Sequence, residues 1–376
     1  MKNITVLGAG LVGRAIVLDL HEDKGFSVTA IDNHPGNLKR LPDEIKKMQL
    51  DVVKQANRAV EGADMVVNAL PGAIGFGVLK QLIELEKDVV DISFFPEDMF
   101  ELKALAEERN VRVVCDMGVA PGMSNLLAAY AAQSFDKVKD VKIVVGGLPK
   151  VRSKPWEYKA PFSPADVLEE YTRPARIRKN GKDISVKPLT FLEHLEFDKV
   201  GTLEAFVTDG LRSLLPYLPA DNMQEKTLRY PGYAKKIQLL KDIGLFGEHP
   251  VKVGAQKVKP VELTSKLLLP LWKFDEGEHD FTVMRIAVEG ISAGKTGVEQ
   301  WDLYDESDKV NNIHSMARTT GYAATAVVRC LAAGEIEGKG LFTPEELSEN
   351  PKLVEKILEQ LRAKNVVFTK SSAVKA

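Results

Sequence analysis

The turn Gly8-Ala9-Gly10-Leu11-Val12-Gly13 restricts this chain more than any other feature, because it lies between an apolar run at 4–7 and apolar residues at helical spacing over 11–20. A glycine-rich hexapeptide alone is a weak sign, since tight turns take glycine for steric reasons. Placed at the start of a strand–helix–strand unit it becomes a strong one. A side chain at Gly8 would spoil the turn, at Gly10 would block a diphosphate, and at Gly13 would push the helix off the strand. The helix N-terminus, opening at Leu11 and Val12, then aims its unpaired N–H groups at the phosphates.

The next hundred residues agree with that start. Short apolar runs at 4–7, 28–31, 48–50, 65–69, 89–92 and 111–115 alternate with helical spacing at 11–20, 77–85 and 97–108, with Pro96 expected in a first helical turn. This alternation builds an α/β, doubly wound parallel sheet, the Rossmann arrangement, over residues 1–122. Beyond Gly122 the rhythm changes. A strand is expected at 141–145, a hairpin at 176–186 on Asn180-Gly181, and another from 281–289 with 298–304. These imply an antiparallel sheet in an α+β substrate and dimerisation domain at 123–306. Helices at 311–334 and 351–364 form a segment 307–376 expected to return to the first domain, and 370–376 reads as a frayed tail.

Composition narrows the function. The 51 basic and 53 acidic residues give a net charge of −2, which offers no excess of cations for a phosphate backbone, so no nucleic acid is expected as a partner. No run approaches the roughly 18 apolar residues of a membrane span and no basic leader precedes Ile4, so neither membrane insertion nor secretion is expected. Two cysteines, and six histidines without ligand spacing, point to a reducing cytoplasm and no metal.

Asp32 ends the second strand, 19 residues beyond Gly13, where a carboxylate accepts hydrogen bonds from the adenine-ribose hydroxyls and repels a 2′-phosphate. NAD is therefore favoured, with NADP possible. Asp32 can also be a turn residue before Pro35-Gly36, and His34, Lys39 and Arg40 can answer a 2′-phosphate. Asp51 with Val52 is a candidate for the adenine side, and Leu70, flanked by Ala69 and Pro71, for the ribose. Both lie at strand ends on the carboxyl edge, where open α/β sheets bind ligands, and both can equally be plain turns.

The stretch Cys115-Asp116-Met117-Gly118-Val119-Ala120-Pro121-Gly122-Met123 resembles the G-L-D-P-G segment of the saccharopine dehydrogenase-like family, in particular its lysine 6-dehydrogenase branch. Gly146-Gly147-Leu148-Pro149, Trp156-Glu157-Tyr158-Lys159, Phe162-Ser163, Glu204-Ala205-Phe206, Asp209-Gly210-Leu211-Arg212-Ser213 and Thr227-Leu228-Arg229-Tyr230-Pro231-Gly232 continue the likeness over nearly the whole chain. The resemblance implies a Rossmann enzyme that oxidises or reduces a C–N bond of an amino acid, with the substrate between the nucleotide domain and an α+β domain that also forms a homodimer. Saccharopine reductases carry an Asp where this chain has Ala120, and commonly a tyrosine where it has Ser93-Phe94-Phe95; lysine 6-dehydrogenases are more similar at both places.

The implied reaction is NAD-dependent oxidation of the ε-carbon of L-lysine, giving allysine that cyclises to piperideine-6-carboxylate. It needs a proton acceptor, for which Asp91, Asp116 and Lys80 are candidates; each can instead be a strand-end cap or a solvated helix residue. Ser93, Met117 and Gly118 are expected to line the cofactor. Arg212 and Arg229 are expected to anchor the α-carboxylate, Asp209 or Glu157 beside Tyr158 the α-ammonium, and Asn125 to touch cofactor or substrate. Saccharopine reduction or a carboxynorspermidine-type condensation, and a non-catalytic nucleotide sensor, are the rival readings.

Overall fold

The structure, a computed structural model, describes residues 1–162 and 164–374. Ser163 of the resemblance motif and the last two residues of the expected tail lie outside them. The chain divides into two compact units, Met1–Gln133 with Met316–Phe368, and Ser134–Ser315 with Thr369–Ala376. These divisions differ from 122/123 and 306/307 for a physical reason. The helix Met123–Ala132 is buried along nearly its whole length in the first unit, where Asn125 donates to Glu345 at 2.9 Å. Ser315, in turn, is held in the second unit through its backbone N–H on Asp280, 2.6 Å.

The first unit is built on β1 (Lys2–Leu7), β2 (Phe26–Asp32), β3 (Lys46–Gln49), β4 (Met65–Asn68), β5 (Asp88–Asp91) and β6 (Arg112–Val114). All pairings are parallel, in the order β6-β5-β4-β1-β2-β3. The sheet is covered on both faces, so its strands read as apolar runs rather than alternations. Leu7, Ile31, Val66, Val89 and Val113 share one core cluster with Leu79, Leu82 and Phe95. Strand order reverses between β1 and β4, and there the carboxyl ends open a crevice. A seventh strand, Gly340–Phe342, adds in parallel beside β6; three residues are too few to show a period.

The helices expected at 77–85 and 97–108 differ in extent from those observed. The one expected at 77–85 starts at Gly72, because glycines at 72 and 75 let its first turn press on the segment after β5. A Cβ on Gly72 would lie 2.3 Å from the Phe94 carbonyl oxygen. The one expected at 97–108 splits into a 3-10 turn, Met99–Leu102, and a helix, Lys103–Glu108. The Asp98 side chain accepts the Phe100 N–H at 3.0 Å and sets the start there, leaving Pro96 outside.

The second unit holds β7 (Lys137–Pro149), β8 (Ala175–Lys179), β9 (Lys182–Val186), β10 (Glu193–Phe197), β11 (Gly201–Thr208) and β12 (Ala220–Arg229), a separate small hairpin of β13 (Val251–Val253) and β14 (Gln256–Val258), then β15 (Asp280–Ser292) and β16 (Lys295–Glu306). The main sheet runs β10-β11-β12-β7-β15-β16 and ends on the strand Phe368–Val374, with β8 and β9 attached to β12. It is mixed, not antiparallel as expected: β12 pairs with β7 in parallel. The connection of about 70 residues between them supplies the crossover that a parallel pair requires. The tail expected to fray is a strand on this sheet from Phe368 to Val374, because alternation cannot reveal an edge strand whose outer residues are polar. The helix expected at 311–334 runs Ser315–Ala332, since Asp308 and Ile313 exchange backbone hydrogen bonds and hold the preceding residues in a turn. Among the described residues, no helix is long and apolar enough to cross a membrane.

Candidate functional site

At the sheet reversal the three glycines of the first turn have three different surroundings. Gly8 has φ +89°, and a Cβ there would lie 2.6 Å from the Ala69 carbonyl oxygen. A Cβ on Gly13 would fall 1.9 Å from the Gly8 carbonyl oxygen. Gly10, with φ −66° at the cap of the helix Leu11–His21, faces open space, with nothing within 4 Å of a Cβ. The gap and the uncapped helix start are the shape and polarity that a diphosphate fills.

Asp32 closes one side. Its Oδ2 accepts the Ala9 N–H at 2.8 Å and the Asn37 amide at 3.0 Å, and its Oδ1 accepts the His34 N–H at 2.7 Å. The carboxylate is thus fixed to the glycine turn itself, with a lone pair of Oδ1 left for a hydroxyl. Val52 is buried, and Asp51 is half-buried with its carboxylate 3.4 Å from Lys54. Ala69 and Leu70 are half-buried and Pro71 is exposed on the rim.

Behind that rim lies a buried polar corner. Asp91 is wholly buried; its carboxylate accepts from the Ser93 backbone (2.9 Å), the Ser93 hydroxyl (2.8 and 2.9 Å) and the Asn68 amide (2.5 Å). Burial pushes its pKa up to about 7 against the pull of those hydrogen bonds, and the neighbouring carboxylate of Asp116 pushes further the same way. The Asp91 backbone oxygen also holds the Met117 N–H at 3.0 Å. Gly118 and Gly122 close the adjoining loop: at φ +130° a Cβ on Gly122 would lie 2.0 Å from the Gly118 oxygen. Ser93 and Met117 are buried, so either meets a ligand through its backbone or after adjustment. Asn68 matters here as a side chain, which sequence reading missed; the available signal was a polar residue ending the apolar strand Met65-Val66-Val67.

Lys80 and Asn125, also expected at the site, have other surroundings. Lys80 is exposed, eight residues into the helix Gly72–Glu84 and so about 12 Å from the strand ends where that helix begins. Asn125 is wholly buried, with its amide bonded to Glu345 and its oxygen accepting from Ser124 at 2.8 Å.

In the second unit Arg229 lies in an aromatic cage, 4.3 Å from the Tyr158 ring centre and 5.8 Å from that of Tyr233, with an Nη2 on Glu170 at 2.6 Å. Its Nε has no partner among the described residues. The pairing with Glu170, a residue that sequence reading passed over, makes Arg229 a buried internal ion pair. Asp209 is held at both oxygens by Arg176, 2.9 Å each, and Glu157 is paired with Arg152 (3.0 Å) and Lys236 (3.3 Å). Both carboxylates thus have cationic partners within the second unit. Arg212 is buried at φ +50°, in the loop that follows Gly210. That loop packs on Glu225 so closely that a Cβ on Gly210 would be 2.6 Å from its carboxylate, and burial pushes the pKa of Glu225 up to about 8.

Residues 4–114 match the saccharopine dehydrogenase NADP binding domain, and residues 118–366 the saccharopine dehydrogenase C-terminal domain. The bovine mitochondrial alpha-aminoadipic semialdehyde synthase is 25% identical over 457 residues, covering 100% of this chain and 48% of that protein. The chain thus spans about half the length of the mammalian relatives it matches. The Saccharomyces cerevisiae saccharopine dehydrogenase [NADP(+), L-glutamate-forming] is 23% identical, covering 99% of each chain. The apo structure of the L-Glu forming saccharopine dehydrogenase from that yeast superposes with a TM-score of 0.81 at 20% identity, over 99% of this chain and 100% of the other, a likeness of fold.

Proposed function

The chain belongs to the saccharopine dehydrogenase family, and on that basis we propose that it is an NAD-dependent oxidoreductase that deaminates the ε-carbon of L-lysine. The observation that carries the cofactor choice is Asp32, whose carboxylate is fixed by three donors where a 2′-phosphate would have to approach. The substrate choice rests on Ala120, which replaces the acidic group of the saccharopine-type segment and leaves no proton donor there for a bulky conjugate.

The residues that would hold the dinucleotide are Gly8, Gly10, Gly13 and the helix start for the diphosphate, Asp32 for the adenine ribose, and the rim 69–71 for the other ribose. When bound, the dinucleotide accepts the two electrons as a hydride. The chain must supply the rest. A lysine amine with a pKa near ~10.4 arrives protonated, and its nitrogen lone pair must be freed before hydride can leave the adjacent carbon. Asp116, two residues past the end of β6 and buried beside Asp91, is the group proposed to take that proton. Water then releases allysine and ammonia. In the second unit Arg212, buried in the loop after Gly210, is proposed for the α-carboxylate.

The homodimer is proposed to form through the second unit. Leu239, Ile243, Val253, Leu263, Leu267 and Leu271 are all between 48 and 64% exposed within one helix–hairpin–helix segment, an apolar surface that a second copy would cover. Antiparallel pairing of the helix Pro260–Trp272 with its copy would set Leu267 on Leu267 and Leu263 on Leu271 of the other chain, so the face is self-complementary.

The test is absorbance at the reduced-nicotinamide band with NAD or NADP and L-lysine, from neutral to alkaline pH. Growth that requires NAD and lysine and increases with pH is expected. Silence there, with reduced cofactor consumed only when allysine and glutamate are added, would make the enzyme a saccharopine reductase. That second reading is favoured by the end-to-end match to the yeast protein.

A further inference from the structure

A buried carboxylate is normally paired with a cation, because an uncompensated charge in a low-dielectric interior is costly. Asp91 has no such partner among the described residues. Its hydrogen bonds come from Ser93 and Asn68, both neutral, and the charged group that bears on it, from the end of β6, is another carboxylate, Asp116. The helix Gly72–Glu84, packed on the same corner, brings only the Gly75 backbone oxygen, which accepts from Asn68 at 3.2 Å. The corner is also over-supplied with acceptors: Asn68 Oδ1 is buried with no hydrogen-bond partner among the described residues. With neutral donors and no cation on it among the described residues, the Asp91 carboxylate is short of one positive charge, which a proton or a cationic ligand can provide.

The placement indicates which ligand. Asp91 holds Ser93 with its side chain and Met117 with its backbone oxygen, two segments expected to line the cofactor; β5 lies across β1 from β2 and its adenine-side Asp32, which sets them at the nicotinamide end. Being wholly buried, it acts on a ligand through its charge and through the segments it holds, not by contact. The nicotinamide ring is a cation when oxidised and neutral when reduced. We propose that Asp91 is a positioning residue that sets the charge behind the nicotinamide end of the site, so that its ionised form favours the oxidised over the reduced cofactor and that preference rises with pH. This rests on the nucleotide-binding reading above. The sign comes from the equilibrium: Asp91–COOH releases its proton to solvent as pH rises through about 7, the corner gains a negative charge, and the cationic ring gains on the neutral one, by on the order of ten-fold for one charge across a protein interior.

The experiment measures dissociation constants of NADH, by its fluorescence, and of NAD, by competition, from about pH 5.5 to 9, spanning the ionisation of a carboxyl raised by burial. The ratio Kd(NADH)/Kd(NAD) should rise about ten-fold through one ionisation near neutrality in the natural protein. It should be flat in Asp91→Asn and keep its rise, with a lower midpoint, in Asp116→Asn. A flat ratio in the natural protein, or an unchanged rise in Asp91→Asn, overturns the proposal. Failure to bind either nucleotide overturns the nucleotide reading itself, a distinct result. A carboxyl-carbon NMR titration of Asp91 in the natural protein needs no variant: its midpoint should fall by about one pH unit with NAD and not with NADH, and equal midpoints overturn the proposal.

Discussion

Gly8, Gly10 and Gly13 are one residue type in one motif, yet each answers a different physical demand. Gly8 needs a left-handed backbone, Gly13 allows backbone-to-backbone contact with Gly8, and Gly10 leaves a gap. Their substitutions should therefore separate folding from binding. Gly10→Ala, at φ −66° in open space, should retain its stability to within about 1 kcal/mol of the natural protein while NAD affinity falls about ten-fold or more. Gly13→Ala, which forces a methyl onto a carbonyl oxygen, should cost about 3 kcal/mol of stability. Thermal melts with and without NAD check both, and equal losses in the two variants would show that Gly10 serves only the turn. The glycine spacing and Asp32 were legible in the sequence because they are local: a turn, a strand end and a fixed count of residues between them. The partner of Arg229 was not legible, because Glu170 lies 59 residues away, a pairing that no spacing rule reveals.

Elements with a strong period lie close to their expected bounds, and the errors concentrate where a period is short or absent. The strand Gly340–Phe342 has three residues, and the strand Phe368–Val374 is exposed along nearly its whole length. The helix Pro260–Trp272 shows the opposite case, a period more apolar than one buried face explains. Thr264, Leu268 and Trp272 face inward while Leu263, Leu267 and Leu271 face out. Sedimentation should show a dimer of the natural protein and a monomer of Leu267→Glu with its melting temperature nearly unchanged, since residue 267 is 62% exposed. A variant that stays dimeric would place the interface elsewhere.

The first unit is assembled from both ends of the chain. Residues 316–368 give it a long helix, whose Ala323, Val327 and Leu331 are fully buried, the strand beside β6, and Glu345. A chain ended at 315 should therefore lose nucleotide binding and the cooperative melt of the first unit, although every residue of the glycine turn is present. Retained NAD affinity in that truncation, measured by NADH fluorescence, would show that residues 1–133 suffice.

Residue type at short and regular intervals was enough to establish the parallel sheet, the glycine turn and the acidic end of β2, while the family came from the likeness of whole segments. Which charged groups remain available emerged only once the chain was folded. Folding paired Arg229, Asp209 and Glu157 within the second unit, turned Asn125 into a tie to Glu345, and left Asp91 buried with no cation beside it among the described residues. The physical reason is that a charge inside a protein is defined by its neighbours, and those neighbours come from distant parts of the chain.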